Sequence, residues 1–199
     1  MSIRLKNGGY YIMHAEKYKV IAICGSLRKK SYNRILVQHC IDFGPEQLDT
    51  EFFDIGTLPL YNQDMEDQGF PDSVLTLRKK IREADALIVA CPEYNMSVSG
   101  VLKNAIDWVS RKDNHGFPFS KKPVMIIGAT PGQLGTARAQ KELRSILSGL
   151  NTYPMNKPEL FMTDAENKIN DQILDTKVTS VLDKMLVNFI SWIKTIKES

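Results

Sequence analysis

Three short apolar runs constrain this chain more than any other feature: KVIAIC at residues 19–24, ALIVAC at 86–91 and PVMIIGA at 123–129. Each is rich in β-branched residues and too short for a buried helix, and the first two stop at Gly25 and Pro92. Each therefore reads as a strand buried on both faces. Weaker strands are expected near residues 50–53 and 158–162. The segments between them carry apolar residues at helical spacing: Ile35, Leu36, His39, Cys40 and Phe43 in 33–43, and Val74, Leu75, Leu77 and Ile81 in 72–83. Asp72 or Ser73 is the expected N-cap of the latter. Leu102, Ala105, Ile106 and Val109 mark a helix over 99–111, followed by helices over 136–149 and 174–196. Strands separated by helix-length segments require right-handed crossovers and a parallel sheet covered on both faces. The expected architecture is a three-layer α/β domain.

A length of 199 residues suits one such domain, placed over residues 18–199. Residues 1–17 read as a flexible N-terminal extension, and because Met13 sits just before the first strand, residues 1–12 read as the product of an upstream start. An apolar fraction of 43% with 25% charged residues excludes wholesale disorder and low complexity. No apolar run approaches the ~18 residues of a membrane span. A net charge of +3 is too small to mark a nucleic-acid binder. The three cysteines form no CxxC pair, and the first residues lack the apolar run of a secretory signal, so a reducing, cytoplasmic location is expected. His14, His39 and His115 match no metal spacing, and no metal site is expected.

In a sheet of this kind ligands bind beyond the carboxyl ends of the strands, where the strand order reverses. The first such loop reads Gly25-Ser26-Leu27-Arg28-Lys29-Lys30-Ser31-Tyr32-Asn33 and leads into a helix. Its hydroxyls, its guanidinium and the helix N-terminus suit an anion. An ordinary strand-to-helix turn with Ser31 as N-cap would use the same residues. The loop lacks GxxxxGK[ST] and GxGxxG, so a single phosphate suits it better than a triphosphate or a dinucleotide. A phosphatase loop would need Arg where Lys30 stands, six positions after Cys24. The loop after the second long run, ALIVAC, continues as PEYNMSVSGVLKNAIDW, residues 92–108, and offers Tyr94 and Asn95 to a planar heterocycle at the same sheet edge.

Together, GSLRKKSYN and PEYNMSVSGVLKNAIDW resemble the NADPH-dependent FMN reductase family of flavodoxin-like proteins, and within it the chromate and quinone reductases. The likeness runs over about residues 19–160 and includes Gly135-Thr136-Ala137-Arg138 and Met155-Asn156-Lys157-Pro158-Glu159. It implies a five-stranded flavodoxin-like sheet of order 2-1-3-4-5, bound FMN, NADPH or NADH as co-substrate, and a homodimer or homotetramer. By position, Ser26, Arg28, Ser31 and Asn33 would hold the FMN phosphate. Pro92, Glu93, Tyr94, Asn95 and Met96 would run along the ribityl chain and ring, mainly through backbone groups, with Thr130 near the ring. Met96 stands where the family often has an aromatic residue, Ser99 where it often has Pro, and Thr136 where it often has a second Gly.

The function implied is an NAD(P)H:acceptor oxidoreductase reducing quinones, flavins, azo compounds or chromate by a ping-pong route. The flavin would carry the chemistry and no side chain is expected to be catalytic. A flavodoxin-type electron carrier and a flavin-binding stress-response protein are the alternatives; the slightly basic charge argues against the carrier. Two packing expectations follow. Cys24 and Cys91, ending neighbouring strands, should be close neighbours that stay reduced and take no part in turnover, and Trp108 is divided between core and subunit contact.

Overall fold

A computed structural model of the chain describes residues 2–4, 10–12 and 16–199. Residues 1, 5–9 and 13–15 of the expected flexible extension lie outside the described residues. What is described there is an antiparallel pairing of Ser2–Arg4 with Tyr10–Ile12.

The five strands β1 (Tyr18–Cys24), β2 (Leu48–Phe53), β3 (Ala86–Ala90), β4 (Pro123–Ala129) and β5 (Leu160–Met162) form one parallel sheet in the order β2-β1-β3-β4-β5. This is the flavodoxin-like order 2-1-3-4-5 anticipated above. Beside β4 the chain pairs twice, first through Tyr153–Pro154 against Pro123 and Val124, then through β5 against Ile127–Ala129. Pro154 and Pro158 have no N–H to give to a ladder, which confines regular pairing to those two pieces.

Side chains alternate between the two faces of the sheet. Val20, Ala22, Cys24, Ile88 and Ile127 pack beneath α1 (Tyr32–Asp42) and α5 (Thr176–Lys197). Ile21, Ile23, Leu87, Val89 and Ile126 pack against α2 (Asp72–Glu83), α3 (Gly100–Val109) and α4 (Ala137–Gly149). The same alternation separates the two cysteines. Cys24 pairs in register with Ala90, one residue short of Cys91, so Cys24 lies in the α1/α5 layer and Cys91 in the other. Their side chains pack into opposite layers of the core. All three cysteines are free and buried.

One open expectation is resolved and another is corrected. Trp108 is fully buried and belongs to the core: its Nε1 donates to Pro59 O at 2.9 Å, and its ring meets Tyr61 and Phe70 edge-on. The N-cap of α2 is Pro71, without a side-chain cap; Asp72 sits inside the first turn, where its charge complements the helix dipole. On the inner face of α2, Arg78 is wholly buried and donates to the carbonyls of Trp108, Val109 and Arg111 at the end of α3. Burial alone would raise the nearby Asp113 carboxyl. Hydrogen bonds from Arg78, the His115 N–H and Arg82 outweigh that and bring it down to about 2. No helix among the described residues is long and apolar enough to cross a membrane.

Candidate active site

Three loops meet at the carboxyl ends of the central strands. The first, residues 25–31, is pressed directly against the second. A Cβ on Gly25 would lie 2.8 Å from both Pro92 Cδ and Ser99 Oγ, so only glycine lets the two loops touch. Ser31 caps α1, its hydroxyl accepting from Arg34 N at 3.4 Å, and its own N–H donates to Arg28 O at 3.1 Å. Ser26 is buried, while Arg28, Lys29 and Lys30 are exposed. The Arg28 guanidinium lies 4.8 Å from the centroid of the Tyr32 ring. Among the described residues, neither Arg28 nor the two lysines has an ion-pair partner.

Asn33 departs from the expected role. Its side chain is buried and bridges α1 to the end of β4, Nδ2 donating to Ala129 O at 2.8 Å and Oδ1 accepting from Ala129 N at 3.0 Å. The amide is committed to the fold, and what Asn33 offers a ligand is its backbone N–H in the first turn of α1.

In the second loop, Glu93–Tyr94 pairs antiparallel with Ser97–Val98, and both turn residues, Asn95 and Met96, have positive φ (52° and 68°). A two-residue hairpin with this geometry turns sharply, at a cost for a residue as large as Met. It leaves Tyr94 half-exposed and Met96 exposed. Tyr94 donates its hydroxyl to Ser26 Oγ at 3.1 Å, which joins the hairpin to the first loop. Glu93 turns its carboxylate the other way: Oε2 accepts from the N–H groups of Arg138 (3.0 Å) and Ala139 (3.2 Å) and caps α4. An anion is thereby already fixed at the start of α4, whereas the first turn of α1 contains no acidic residue. Ser99, in place of the family's Pro, caps α3 by accepting from Leu102 N at 3.3 Å.

The third loop, residues 130–136, starts at Thr130, whose hydroxyl accepts from Gly132 N at 3.2 Å. It ends with Gly135 and Thr136 both at positive φ (57° and 64°). A Cβ on Gly135 would run into the Phe161 carbonyl. Thr136 holds the conformation that a second glycine adopts freely, anchored by a hydrogen bond from Gln140 Nε2 to its hydroxyl at 3.0 Å.

Ser26 and Arg28 thus lie beside the N-terminus of α1, with Tyr94 bonded to Ser26; Ser31 is buried as the cap of that helix and does not line the cavity beside it. A cavity of about 940 Å³ opens from this loop on the β2 side, lined also by Lys29, Lys30, Arg34, Phe52 and Asp54. Tyr94, Asn95, Met96 and Thr130 do not line it; they form the open rim on the β3–β4 side. Reading the loops alone missed Arg34 and Phe52. The signal for Arg34 was its position, three residues after the cap at Ser31 and therefore on the same turn of helix. The thiols are poor candidates for chemistry, since burial raises the Cys24 pKa and pushes Cys91 up to about 12.

A flavodoxin-like sheet with an unpaired cationic loop at its first strand and an aromatic rim at its third defines a protein built to hold a phosphate-bearing cofactor. Residues 18–167 match the family model for NADPH-dependent FMN reductase. The chain belongs to that family, which makes it an oxidoreductase. It is 44% identical over 185 residues to the NAD(P)H-dependent FMN reductase PA1204 of Pseudomonas aeruginosa, covering 92% of this chain and 99% of that one. It is 37% identical over 188 residues to the quinone reductase of Escherichia coli, with 92% and 99% covered. Among solved structures, the flavoenzyme NAD(P)H:(acceptor) oxidoreductase FerB of Paracoccus denitrificans superposes with a TM-score of 0.79 at 33% identity, covering 89% of this chain and 98% of that one.

Proposed function

We propose that this protein is an FMN-dependent NAD(P)H:acceptor oxidoreductase that reduces quinones, and through the same open site flavins, azo compounds or chromate. The observation that carries the reading is one cationic cavity lined by Ser26, Arg28 and the first turn of α1, in which Arg28 has no ion-pair partner among the described residues. That donor set suits a phosphate dianion. On this reading the hydroxyls of Ser26 and Ser31, the Arg28 guanidinium and the Asn33 backbone N–H hold the FMN phosphate. Pro92, Glu93, Tyr94, Asn95 and Met96 follow the ribityl chain and ring through backbone groups, and Thr130 borders the ring.

When bound, FMN supplies the redox chemistry, accepting a hydride from NADPH or NADH and passing electrons to the acceptor. The protein binds and orients; no side chain here is assigned a nucleophilic or acid–base role. A single flavin serves nicotinamide and acceptor in turn, which gives ping-pong kinetics. The exposed apolar side chains of Tyr94, Met96 and Leu134 fit burial against a second copy, so the working form is a cytoplasmic homodimer or homotetramer.

The purified protein should show the visible absorption of bound flavin and bleach on anaerobic titration with NADPH or NADH, with no second protein present. A colourless protein that gains no such absorption with added FMN overturns the reading. A flavin that stays oxidised until another reductase is added marks an electron carrier instead.

A further inference from the structure

The phosphate site just proposed leaves part of the cationic cavity unexplained. Besides Arg28, its wall carries Lys29, Lys30 and Arg34, facing two carboxylates, Asp54 and Asp171. None of the four cations is in an ion pair among the described residues. Asp54 is turned into its own loop, its Oδ1 accepting from Gly56 N at 2.9 Å. Arg34 is not a loose surface arginine. Its guanidinium lies 3.5 Å from the centroid of the Phe52 ring, which holds the planar group against the β2 wall. It also stands in the first turn of α1, where the helix dipole disfavours a cation. A cavity of about 940 Å³ lies at the top of the ~300–1,000 Å³ range that encloses a whole ligand, far beyond the needs of one phosphate. Ser26 lines it and also accepts the Tyr94 hydroxyl at 3.1 Å, which ties this wall to the hairpin that forms the neighbouring rim.

We infer that Arg34, with Lys30 beside it, binds the 2′-phosphate of NADPH and makes the enzyme prefer NADPH to NADH. The inference rests on the flavoenzyme reading and divides the cations into two groups: Arg28, with the loop hydroxyls, for the FMN phosphate, and Arg34 and Lys30 for the co-substrate. A planar guanidinium gives two parallel N–H donors to a phosphate, and the lysine adds a mobile point charge.

The test uses FMN-loaded protein and the Arg34→Gln and Lys30→Gln variants, singly and together. Removing charge-assisted contacts should raise the KM for NADPH about ten- to a hundred-fold in the double variant. The KM for NADH and the Kd for FMN should stay within about twofold, because neither ligand carries a 2′-phosphate. By calorimetry, 2′,5′-ADP should bind the FMN-loaded wild type and lose that binding in the double variant, while 5′-AMP binds neither appreciably. Lys30 is exposed and Lys30→Gln alone should shift the NADPH KM in the same direction, which guards against a packing defect at Arg34. FMN affinity falling in step with NADPH affinity would assign these cations to the FMN phosphate and overturn the inference. An unchanged NADPH-to-NADH ratio, or equal losses with both nicotinamides, would overturn it too, with flavin binding and NADH oxidation intact. Failure of the flavoenzyme reading itself is a separate outcome, since the wild type would then bind no FMN.

Discussion

Replacing Asp113 by Asn should weaken the fold without touching the FMN site. Asp113 accepts from Arg78 Nη2 at 2.9 Å and from Arg82 Nη2, and it tethers the loop after α3 to the inner face of α2. Its carboxyl titrates at about 2 in the folded protein against 3.8 in a free chain. A depressed carboxylate pKa stabilises the fold at every pH above the unfolded value, and the contribution disappears as pH falls from about 4 through about 2. At 1.36 kcal/mol per unit the charge contributes about 2 kcal/mol at neutral pH. Removing one partner of a buried pair typically costs ~3–5 kcal/mol. Here the wholly buried Arg78 keeps three carbonyl acceptors, at Trp108, Val109 and Arg111, so the loss should stay near the lower figure, at about 2–3 kcal/mol. Urea unfolding of wild type and Asp113→Asn at pH 7 should give that gap. Repeating the pair of curves at steps down to pH 2.5 should narrow it, because the wild type alone loses the charge. A gap that stays constant over the whole range, or one below about 0.5 kcal/mol at pH 7, would refute the electrostatic account of this tether.

Arg28→Ala should lower FMN affinity by one to two decades, the worth of a charge-assisted contact at about 1.5–3 kcal/mol, as read by fluorescence quenching of free FMN; unchanged affinity removes Arg28 from the site. A Cys24→Ala, Cys91→Ala double variant should keep its NAD(P)H oxidation rate while losing some thermal stability, since both thiols are buried with raised pKa values. Turnover that collapses with FMN still bound would place a thiol in the chemistry. Light scattering at micromolar concentration should show at least a dimer, and Met96→Glu should weaken it; a fully active monomer contradicts the assignment of the exposed hairpin face to a second copy.

What the sequence made legible was whatever follows from periodicity and from punctuation by Gly and Pro. KVIAIC, ALIVAC and PVMIIGA became β1, β3 and β4 because residues buried on both faces of a parallel sheet leave an uninterrupted apolar signature. Ser31 and Ser99 announced two helix starts by the same local chemistry that then formed their caps. Contacts between elements left no such mark. Neighbouring strands put Cys24 and Cys91 side by side in sequence logic, yet a one-residue offset in register sends the two side chains into opposite layers of the core. Trp108 could not be placed from its own helix, because its indole N–H is satisfied by Pro59, 49 residues away. The polar residues were hardest for the same reason. Asn33 and Glu93 sit in loop motifs that read as ligand-facing, but one amide is tied to Ala129 and one carboxylate to the start of α4, so both side chains are committed to the fold. Arg28, Lys29, Lys30 and Arg34 are the reverse case: cations with no ion pair among the described residues, concentrated where a helix start already favours anions. Asp113 pairs with Arg78 and Arg82, whereas these four face Asp54 and Asp171 across the cavity without an ion pair among the described residues, and it is this contrast on which the proposed ligand roles rest.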